Sequence, residues 1–387
     1  MKKLLLILSI TLFTLNANSQ LKDLTFNGYI KDLAMYYNPK ISIPGIESNY
    51  LATNIIHNRL NLRWFASNEL TFAVEARNRI FFGQMIREFP EYEQIIDTDN
   101  GYVDLSETLF SGKGWFMHSI LDRAWLDYSK GNWQIRVGRQ RINWGINLVW
   151  NPNDIFNSFS YFDFDYEERP GTDAVKIQYY TGFTSSAELV YKIGRNNDET
   201  AIAGKYQFSK FNYDFQFLGG WVGKDYVIGG GWAGDIKGGG FRGEISYFIP
   251  RKENNGSNEA FVASVSGDYS FKNSLYLHGG LLFNSHGAKG NAGGRSFFDQ
   301  NLSAKMLSLA MYNLFGQVSF PITPIFSANF SGMVNPSDGS SYIGPVFTYS
   351  LGNNLELMVN GQLFFGEAET EYGDYGKVLF GRIKWAF

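Results

Sequence analysis

The feature that most constrains this chain is a two-residue rhythm. From Asn58 to Ala66 the apolar Leu60, Leu62 and Trp64 alternate with Arg59, Asn61 and Arg63. After a short turn at Asn68-Glu69-Leu70, Phe72, Val74, Ala76 and Ile80 alternate with Glu75, Arg77 and Arg79. Successive side chains of a strand point to opposite faces, so each segment has one apolar and one polar face. Strands of about ten residues built this way are what a membrane-crossing barrel needs, because its backbone groups are satisfied between strands while its two faces meet different media. Past the N-terminal segment, no apolar run reaches the roughly 18 residues of a helical span.

The rhythm starts weakly at 26–36 and continues through 120–128, 133–140, 173–180, 184–193, 200–208, 211–222, 226–236, 239–248, 261–271, 274–285, 307–320, 325–335, 342–351, 355–365 and 378–387. With the first hairpin this predicts about eighteen strands, sixteen to twenty allowing for one hairpin more or fewer. Short connections (68–70, 130–132, 181–183, 209–210, 237–238, 272–273, 321–324, 352–354) largely alternate with longer ones, 223–225 being the exception. The expected fold is therefore all-β, a transmembrane antiparallel up-and-down barrel. Both termini fall on the periplasmic side, and the long loops 38–52, 82–118, 141–172, 249–260, 286–304 and 366–377 face outward. A soluble β-sandwich would need neither segments this long nor this asymmetry of loops.

Composition agrees. Aromatic residues make up 17% of the chain, with 34 Phe, 23 Tyr and 42 Gly, and there is no Cys, so a disulfide framework is excluded. Lys2 and Lys3, an apolar run from Leu4 to Leu15 and then Ala17-Asn18-Ser19 read as a secretory signal, residues 1–19, which leaves 20–387 as a single barrel domain. A net charge of −3 and the lack of any nucleic-acid motif exclude a nucleic-acid binder. No cofactor motif and no metal-ligand cluster is visible. The mature chain is too short for a plug domain plus a twenty-two-stranded transporter barrel. The expected partners are outer-membrane lipid, small polar solutes and, through a last strand that alternates Leu379, Ile383, Trp385 and Phe387 with Arg382 and Lys384, the barrel assembly machinery.

If the apolar partners face lipid, the polar set faces the lumen, where Arg59, Arg63, Arg77, Arg79, Arg123 and Arg136 concentrate in the first five strands. Pairing Ser67 with Thr71 sets Arg63 opposite Glu75, Asn61 opposite Arg77 and Arg59 opposite Arg79, a repulsive pair unless an acid or an anion lies between. A similar count places Asp127 near Arg136. These arginines either line a solute track or form a wall network with Glu75, Asp122, Asp127 and loop acids.

The segment after the fifth strand is too aromatic and too long, at about thirty residues without a helical pattern, to be a surface loop. It runs through Gly138-Arg139-Gln140-Arg141-Ile142-Asn143-Trp144-Gly145, then Asn151-Pro152-Asn153-Asp154-Ile155-Phe156-Asn157, then Asp163-Phe164-Asp165-Tyr166-Glu167-Glu168-Arg169-Pro170-Gly171. Folded inward near 141–172, it sets its acids Asp154, Asp163, Asp165, Glu167 and Glu168, with Arg169, against the basic wall and makes a constriction with a transverse field.

Gly138-Arg139-Gln140 followed by Trp144-Gly145, an Asn-Pro-x-Asp segment and Arg169-Pro170-Gly171 before the next strand resembles the alginate-export and related substrate-porin barrels. The resemblance covers about 130–175 in motif and the remainder in architecture. It implies eighteen strands, an electropositive lumen and a pore lined by Arg136, Arg139, Arg141 and Arg169. The acids at 163–168 depart from the uniformly basic lumen of a polyuronate exporter.

Other motifs are weaker. Asp97-Thr98-Asp99-Asn100-Gly101 with Asp104 departs from a calcium loop in its Gly and Glu positions and reads as an Asx-rich turn. Gly229-Gly230-Gly231 and Gly238-Gly239-Gly240 read as relief of crowding where strands bend. Of His57, His118, His278 and His286, His278 lies at a strand centre on a lumen-facing position, and a hydrolase would need a nucleophile within reach of it. The leading expectation is passive diffusion of small polar solutes, with anions favoured. The alternatives are a plugged barrel serving a surface complex and a barrel hydrolase.

Overall fold

The computed structural model describes residues 23–41, 48–163, 167–251, 258–293 and 302–387; the signal segment and Asp165 lie outside them. In chain order the elements are β1 (Leu24–Asn38), β2 (Leu51–Phe65), β3 (Leu70–Gly83), the short helices α1 (Gln84–Glu88) and α2 (Tyr92–Ile96), β4 (Ser106–Gly112), β5 (Trp115–Lys130), β6 (Trp133–Gln140), β7 (Thr172–Tyr180), β8 (Ser186–Lys192) and β9 (Ala201–Lys210). There follow β10 (Tyr213–Val222), β11 (Asp225–Ile236), β12 (Gly239–Pro250), β13 (Ala260–Ser270), β14 (Tyr276–Asn284), β15 (Tyr312–Thr323), β16 (Phe326–Val334), β17 (Ser341–Gly352), β18 (Leu355–Phe365) and β19 (Lys377–Ala386).

Each wall strand pairs antiparallel with the next, β3 passes directly to β5, and β19 returns to β1, closing an eighteen-stranded barrel. At the seam, Gly28 and Phe387 exchange backbone hydrogen bonds of 3.0 and 2.9 Å, so the last residue completes the ring. Closure leaves no wall edge unpaired, which is how a chain without disulfides holds a sheet this large in lipid. Outward residues such as Phe217, Ile228, Ile245, Leu281, Ile343 and Leu379 are exposed. So large an apolar surface belongs in a bilayer.

The expected strands all occur, several of them longer at the loop rim. The segment 82–118 is more than a loop. Its α1 packs Met85 among Leu33, Tyr37 and Leu51 and Ile86 against Phe81 and Phe116, where Tyr92 and Ile96 of α2 join. Its β4 adds a nineteenth strand along β5 above the end of β6, whose pairing with β5 covers Ala124–Lys130.

The first hairpin is two residues out of the expected register. Phe65, Asn61, Arg59 and His57 stand opposite Thr71, Glu75, Arg77 and Arg79, and Arg63 stands opposite Ala73. The Ser67 hydroxyl accepts the N–H groups of Glu69 and Leu70 and so forms the turn itself. An even slip keeps every side chain on its expected face.

Candidate functional site: the lumen and its inner loop

Lumen-facing positions of the wall carry a charge network whose centre is a β-bulge. Between β3 and β5 the register shifts at Glu75/Ala76, so Asp122 is inserted beside Arg123. A bulge of this kind turns the strand locally, and Asp122 is placed between the juxtaposed Arg59 and Arg77. Arg59 Nη1 lies 2.6 Å and Arg77 Nε 3.2 Å from Asp122 Oδ2. Arg59 also pairs with Glu75 at 2.6 Å and approaches Glu168 at 3.6 Å. The repulsive arginine pair is thus Arg59 with Arg77 rather than Arg79, and Asp122 is the acid between them. Arg59 is wholly enclosed, so it belongs to the wall network. Arg79 bonds to His118 Nδ1 at 3.1 Å and lies over Phe81.

Nearer the turn rim, Arg136 Nε donates to Asp127 at 2.8 Å and lies over Trp125, which Arg63 also approaches. Arg63 is exposed. Arg136 stands opposite Lys176, and Glu188 lies 3.8 Å from Lys176 and opposite Lys205, so cations of four strands share this belt with two acids.

Arg139 departs from the expected pore lining. It is one residue out of phase with Gln140 and an odd number from Arg136, so it turns to the opposite face of β6. There it is buried between Asp99 and Asp173, donating to both and to the Val103 carbonyl. Asp99 also accepts from the N–H groups of Gly101 and Leu105, and Asp104 accepts from Ser106. The 97–104 segment therefore acts as a cluster of Asx turns around Arg139.

The loop between β6 and β7 enters the barrel and lies against its wall in two lobes. In the first, Trp144 Nε1 donates to Glu188 of β8, and its carbonyl accepts from Gln216 of β10. Asn147 bonds to Ser264 and Ser266 of β13, and the Trp150 ring packs edge-on to Phe315 of β15. Glu244 of β12 fastens this lobe. Its carboxyl accepts three backbone N–H groups, from Ile146 at 2.5 Å, Asn147 at 2.6 Å and Asn153 at 2.9 Å.

The Gly229–Gly231 run is the seat of this lobe, and the crowding these glycines relieve is that between the wall and the loop. Asn153 Nδ2 donates to the Gly230 carbonyl at 2.9 Å, and a Cβ at Gly231 would come within 2.8 Å of Ile146 Cδ1 and 3.1 Å of Asn153 Nδ2. Ile142, Trp144, Val149, Trp150, Ile155 and Phe156 share one apolar core with wall residues such as Val190, Leu218, Phe248 and Leu282.

The second lobe covers the other half of the wall. Tyr161 and Phe162 pack on Tyr342 and Phe364, and the Phe162 carbonyl accepts from Gln362 of β18. Glu167 pairs with Arg382 and Lys384 of β19 at 2.7 and 2.6 Å, and with Lys31 of β1 at 3.8 Å. Burial alone would raise its pKa, but these three cations hold it below the usual range. Glu168 reaches Tyr29 and Arg59, while Arg123 donates to the carbonyls of Glu168 and Arg169. The loop returns to β7 where Asn157 Oδ1 accepts from the Thr172 hydroxyl.

Between the lobes lie Arg141, Asp154, Asp163 and Arg169. Arg141 Nη2 is 3.3 Å from Asp154, whose burial raises its pKa to about 7 in spite of that cation. Arg169, at a positive φ of 62°, lies over the Phe159 ring. Burial, with Arg141 nearby, lowers its pKa to about 10. Asp163 is exposed. Glu244, Glu188 and Gln216 were absent from the expected site. Single polar residues in alternating strands carry no sign of what they hold, although the glycine run marked where something approaches closely. His278 lies beside Phe315, and neither ring nitrogen has a hydrogen-bond partner among the described residues. Among the described residues, none stands within hydrogen-bond distance of this ring as the nucleophile of a hydrolase would.

No protein-family model matches the sequence, and no curated protein sequence matches it. Solved structures do. OccAB3 of Acinetobacter baumannii is 10% identical with a TM-score of 0.60, over 95% of this chain and 100% of that one. OccAB4 of the same organism is 9% identical with a TM-score of 0.58, over 96% and 100%. OccK11 (OpdR) of Pseudomonas aeruginosa is 9% identical with a TM-score of 0.57, over 95% and 96%. Near-complete coverage at such low identity is a likeness of fold, and the fold is that of the outer-membrane porin barrels.

Proposed function

We propose that the protein is an outer-membrane channel through which small polar solutes diffuse passively, with its constriction set by the loop 141–171. The observation that carries this reading is the course of the loop. Its apolar and anchoring side chains meet the wall on both halves of the barrel, while Asn143, Leu148 and Asp163 remain exposed. A segment laid along the wall narrows a lumen where one laid across it would seal it. Selectivity comes from the cations that are not enclosed by acids. Arg63 is exposed, and Lys205, half-buried, lies over the Trp144 ring and opposite Glu188. They give a modest bias toward anions, since Arg59 and Arg77 are matched by Asp122 and Glu75, Arg136 by Asp127, and Lys31, Arg382 and Lys384 by Glu167.

A second reading is favoured by the extent of the apolar core around Trp144, Trp150 and Phe156: a filled barrel that serves as a partner for a surface complex. Conductance of the purified, folded protein in planar bilayers decides between them. Stepwise conductance with an anion-selective reversal potential in a salt gradient supports the channel; its absence, with a copurifying partner, supports the filled barrel. Phe387, which closes the seam with Gly28, is read in addition as part of the signal to the assembly machinery.

A further inference from the structure

The lumen wall has a charged half and an uncharged half. The ion pairs described above belong to β1–β9, β19 and the loops. On the turn-rim half of β14–β17, the lumen-facing positions carry amides, hydroxyls and apolar groups instead. By register Tyr276 of β14 stands opposite Ser319 of β15, Ser319 opposite Asn329 of β16, and Asn329 opposite Val346 of β17. Gln317, two residues from Ser319, shares its face. All five are half-buried, so the row opens on the lumen. The charged groups nearest to it on β12 and β13, Arg242 and Asp268, neutralise each other at 2.6 Å.

Two amides converge on one hydroxyl. Gln317 Nε2 and Asn329 Nδ2 donate to Ser319 Oγ at 3.1 and 2.8 Å. With both of its lone pairs accepting, Ser319 keeps its own hydrogen to donate, and each amide keeps a carbonyl oxygen and a second N–H. These remaining groups make no side-chain hydrogen bond among the described residues. At the two ends of the row Tyr276 and Val346 add apolar surface. Two positions nearer the loop rim, Phe315 carries Trp150 and Tyr161 of the inner loop, so the row lies directly under the constriction.

The chemistry of a ligand for this wall follows from the groups left over. An anion needs an unmatched cation and a cation an unmatched carboxylate, and the row holds neither. A fitting ligand brings hydroxyl hydrogens to two carbonyl oxygens, an oxygen to the Ser319 hydroxyl and the amide N–H groups, and a C–H face to the Tyr276 ring. We infer that Tyr276, Gln317, Ser319 and Asn329 form a binding track for an uncharged oligosaccharide, whose ring hydroxyls meet the amides while a ring face lies on Tyr276. From β14 to β17 the row covers three strand spacings, roughly 14 Å, which is longer than one sugar ring. The inference rests on the channel reading for the arrival of solute at this wall, and adds to it a ligand class and a place. The unmatched cations Arg63 and Lys205 belong to β2 and β9, so ion preference and sugar binding are separate properties of the pore.

Saturation-transfer NMR on the folded protein in detergent micelles tests the track without calling on conductance. Maltotriose, an uncharged probe, is expected to give a saturable signal, strongest at ring C–H protons, with an affinity that added salt leaves unchanged. Gln317→Ala with Asn329→Ala is expected to raise its dissociation constant roughly tenfold, the loss of two ordinary hydrogen bonds. Tyr276→Phe should bind as the parent does and Tyr276→Ala several-fold more weakly, which separates stacking from hydrogen bonding. No saturable signal from maltotriose, or one that the amide variant leaves unchanged, overturns the inference. So does tighter binding of trigalacturonate, a charged probe of similar size, that is lost on adding salt; this result assigns the wall to anions. Heat-modifiable migration identifies any misfolded variant. A protein that conducts but does not bind the sugar sinks this inference alone, whereas one that binds the sugar but does not conduct supports the track and sinks the channel reading.

Discussion

Replacing Glu244 with Ala should release the first lobe of the inner loop. The Glu244 carboxyl is wholly enclosed and accepts the N–H groups of Ile146, Asn147 and Asn153. Removing it strands three buried donors, each costing about 1–3 kcal/mol when left unpaired. Water entering the small space vacated recovers part of this, so the low end, about 3 kcal/mol in total, is the safer figure. At about 1.4 kcal/mol per factor of ten, the ratio of docked to undocked loop falls roughly a hundredfold. Bonds from Asn147 to Ser264 and Ser266 remain, so the lobe becomes mobile without leaving the lumen. In planar bilayers the variant should show larger and noisier single-channel conductance, and protease added from the loop rim should cut within 144–154. Glu244→Gln, which keeps one acceptor oxygen but turns an NH₂ group toward the remaining donors, should fall between. Conductance, noise and cleavage indistinguishable from the parent, in a variant that still migrates as a folded barrel, would refute the reasoning that this carboxyl holds the constriction.

The charge network predicts a division between selectivity and stability. Arg63→Gln with Lys205→Gln should move the reversal potential toward that of a non-selective pore. Arg59→Gln should leave selectivity nearly unchanged but cost about 3 kcal/mol, the low end for breaking a buried pair, because Asp122 loses its closer guanidinium and keeps Arg77; thermal unfolding in detergent reads the difference. Asp154 makes docking pH-dependent. Burial raises its pKa from 3.8 to about 7, so the docked loop binds this proton more tightly than a released loop does. Docking is therefore strongest at low pH and loses stability as pH rises between about 4 and 7. Mean conductance should be higher at pH 8 than at pH 5, and Asp154→Asn should flatten the profile. Deleting Phe387 removes the two terminal backbone bonds of the β1–β19 seam and should lower the yield of heat-modifiable barrel in the membrane.

The wall was legible because the physical demand on it is repetitive. A strand between lipid and lumen must alternate, so Leu60, Leu62 and Trp64 against Arg59, Asn61 and Arg63 declare their faces from composition alone. Eighteen such strands survive an error of a few residues at each end. The segment Ser106–Gly112 was not legible as a strand, because it borders no lipid on the scale of a crossing and owes its conformation to the free edge of β5 above the end of β6.

The interior was readable only in part, and the reason is the same in each case: contacts inside the barrel depend on register, and register depends on single residues. The Ser67 hydroxyl shifts the first hairpin by two positions, which leaves all faces intact yet exchanges Arg79 for Arg77 as the neighbour of Arg59. One further residue, inserted at the β5 bulge, then carries Asp122 to the point where the two guanidinium groups meet. Periodicity detects neither event, because an even slip preserves it and a single insertion interrupts it for one residue. Arg139 shows the converse: as part of Gly138-Arg139-Gln140 it resembled a pore-lining residue, but an odd spacing from Arg136 commits it to the other face and to the Asp99 and Asp173 carboxylates. Charge in the lumen therefore follows from composition, whereas the identity of the unmatched charges, and with it selectivity, rests on one turn and one bulge. If the β5 bulge is what neutralises Arg59 and Arg77, deleting Asp122 outright, which restores straight alternation through β5, should damage folding more than Asp122→Asn does. The deletion alters the strand's path as well as the charge.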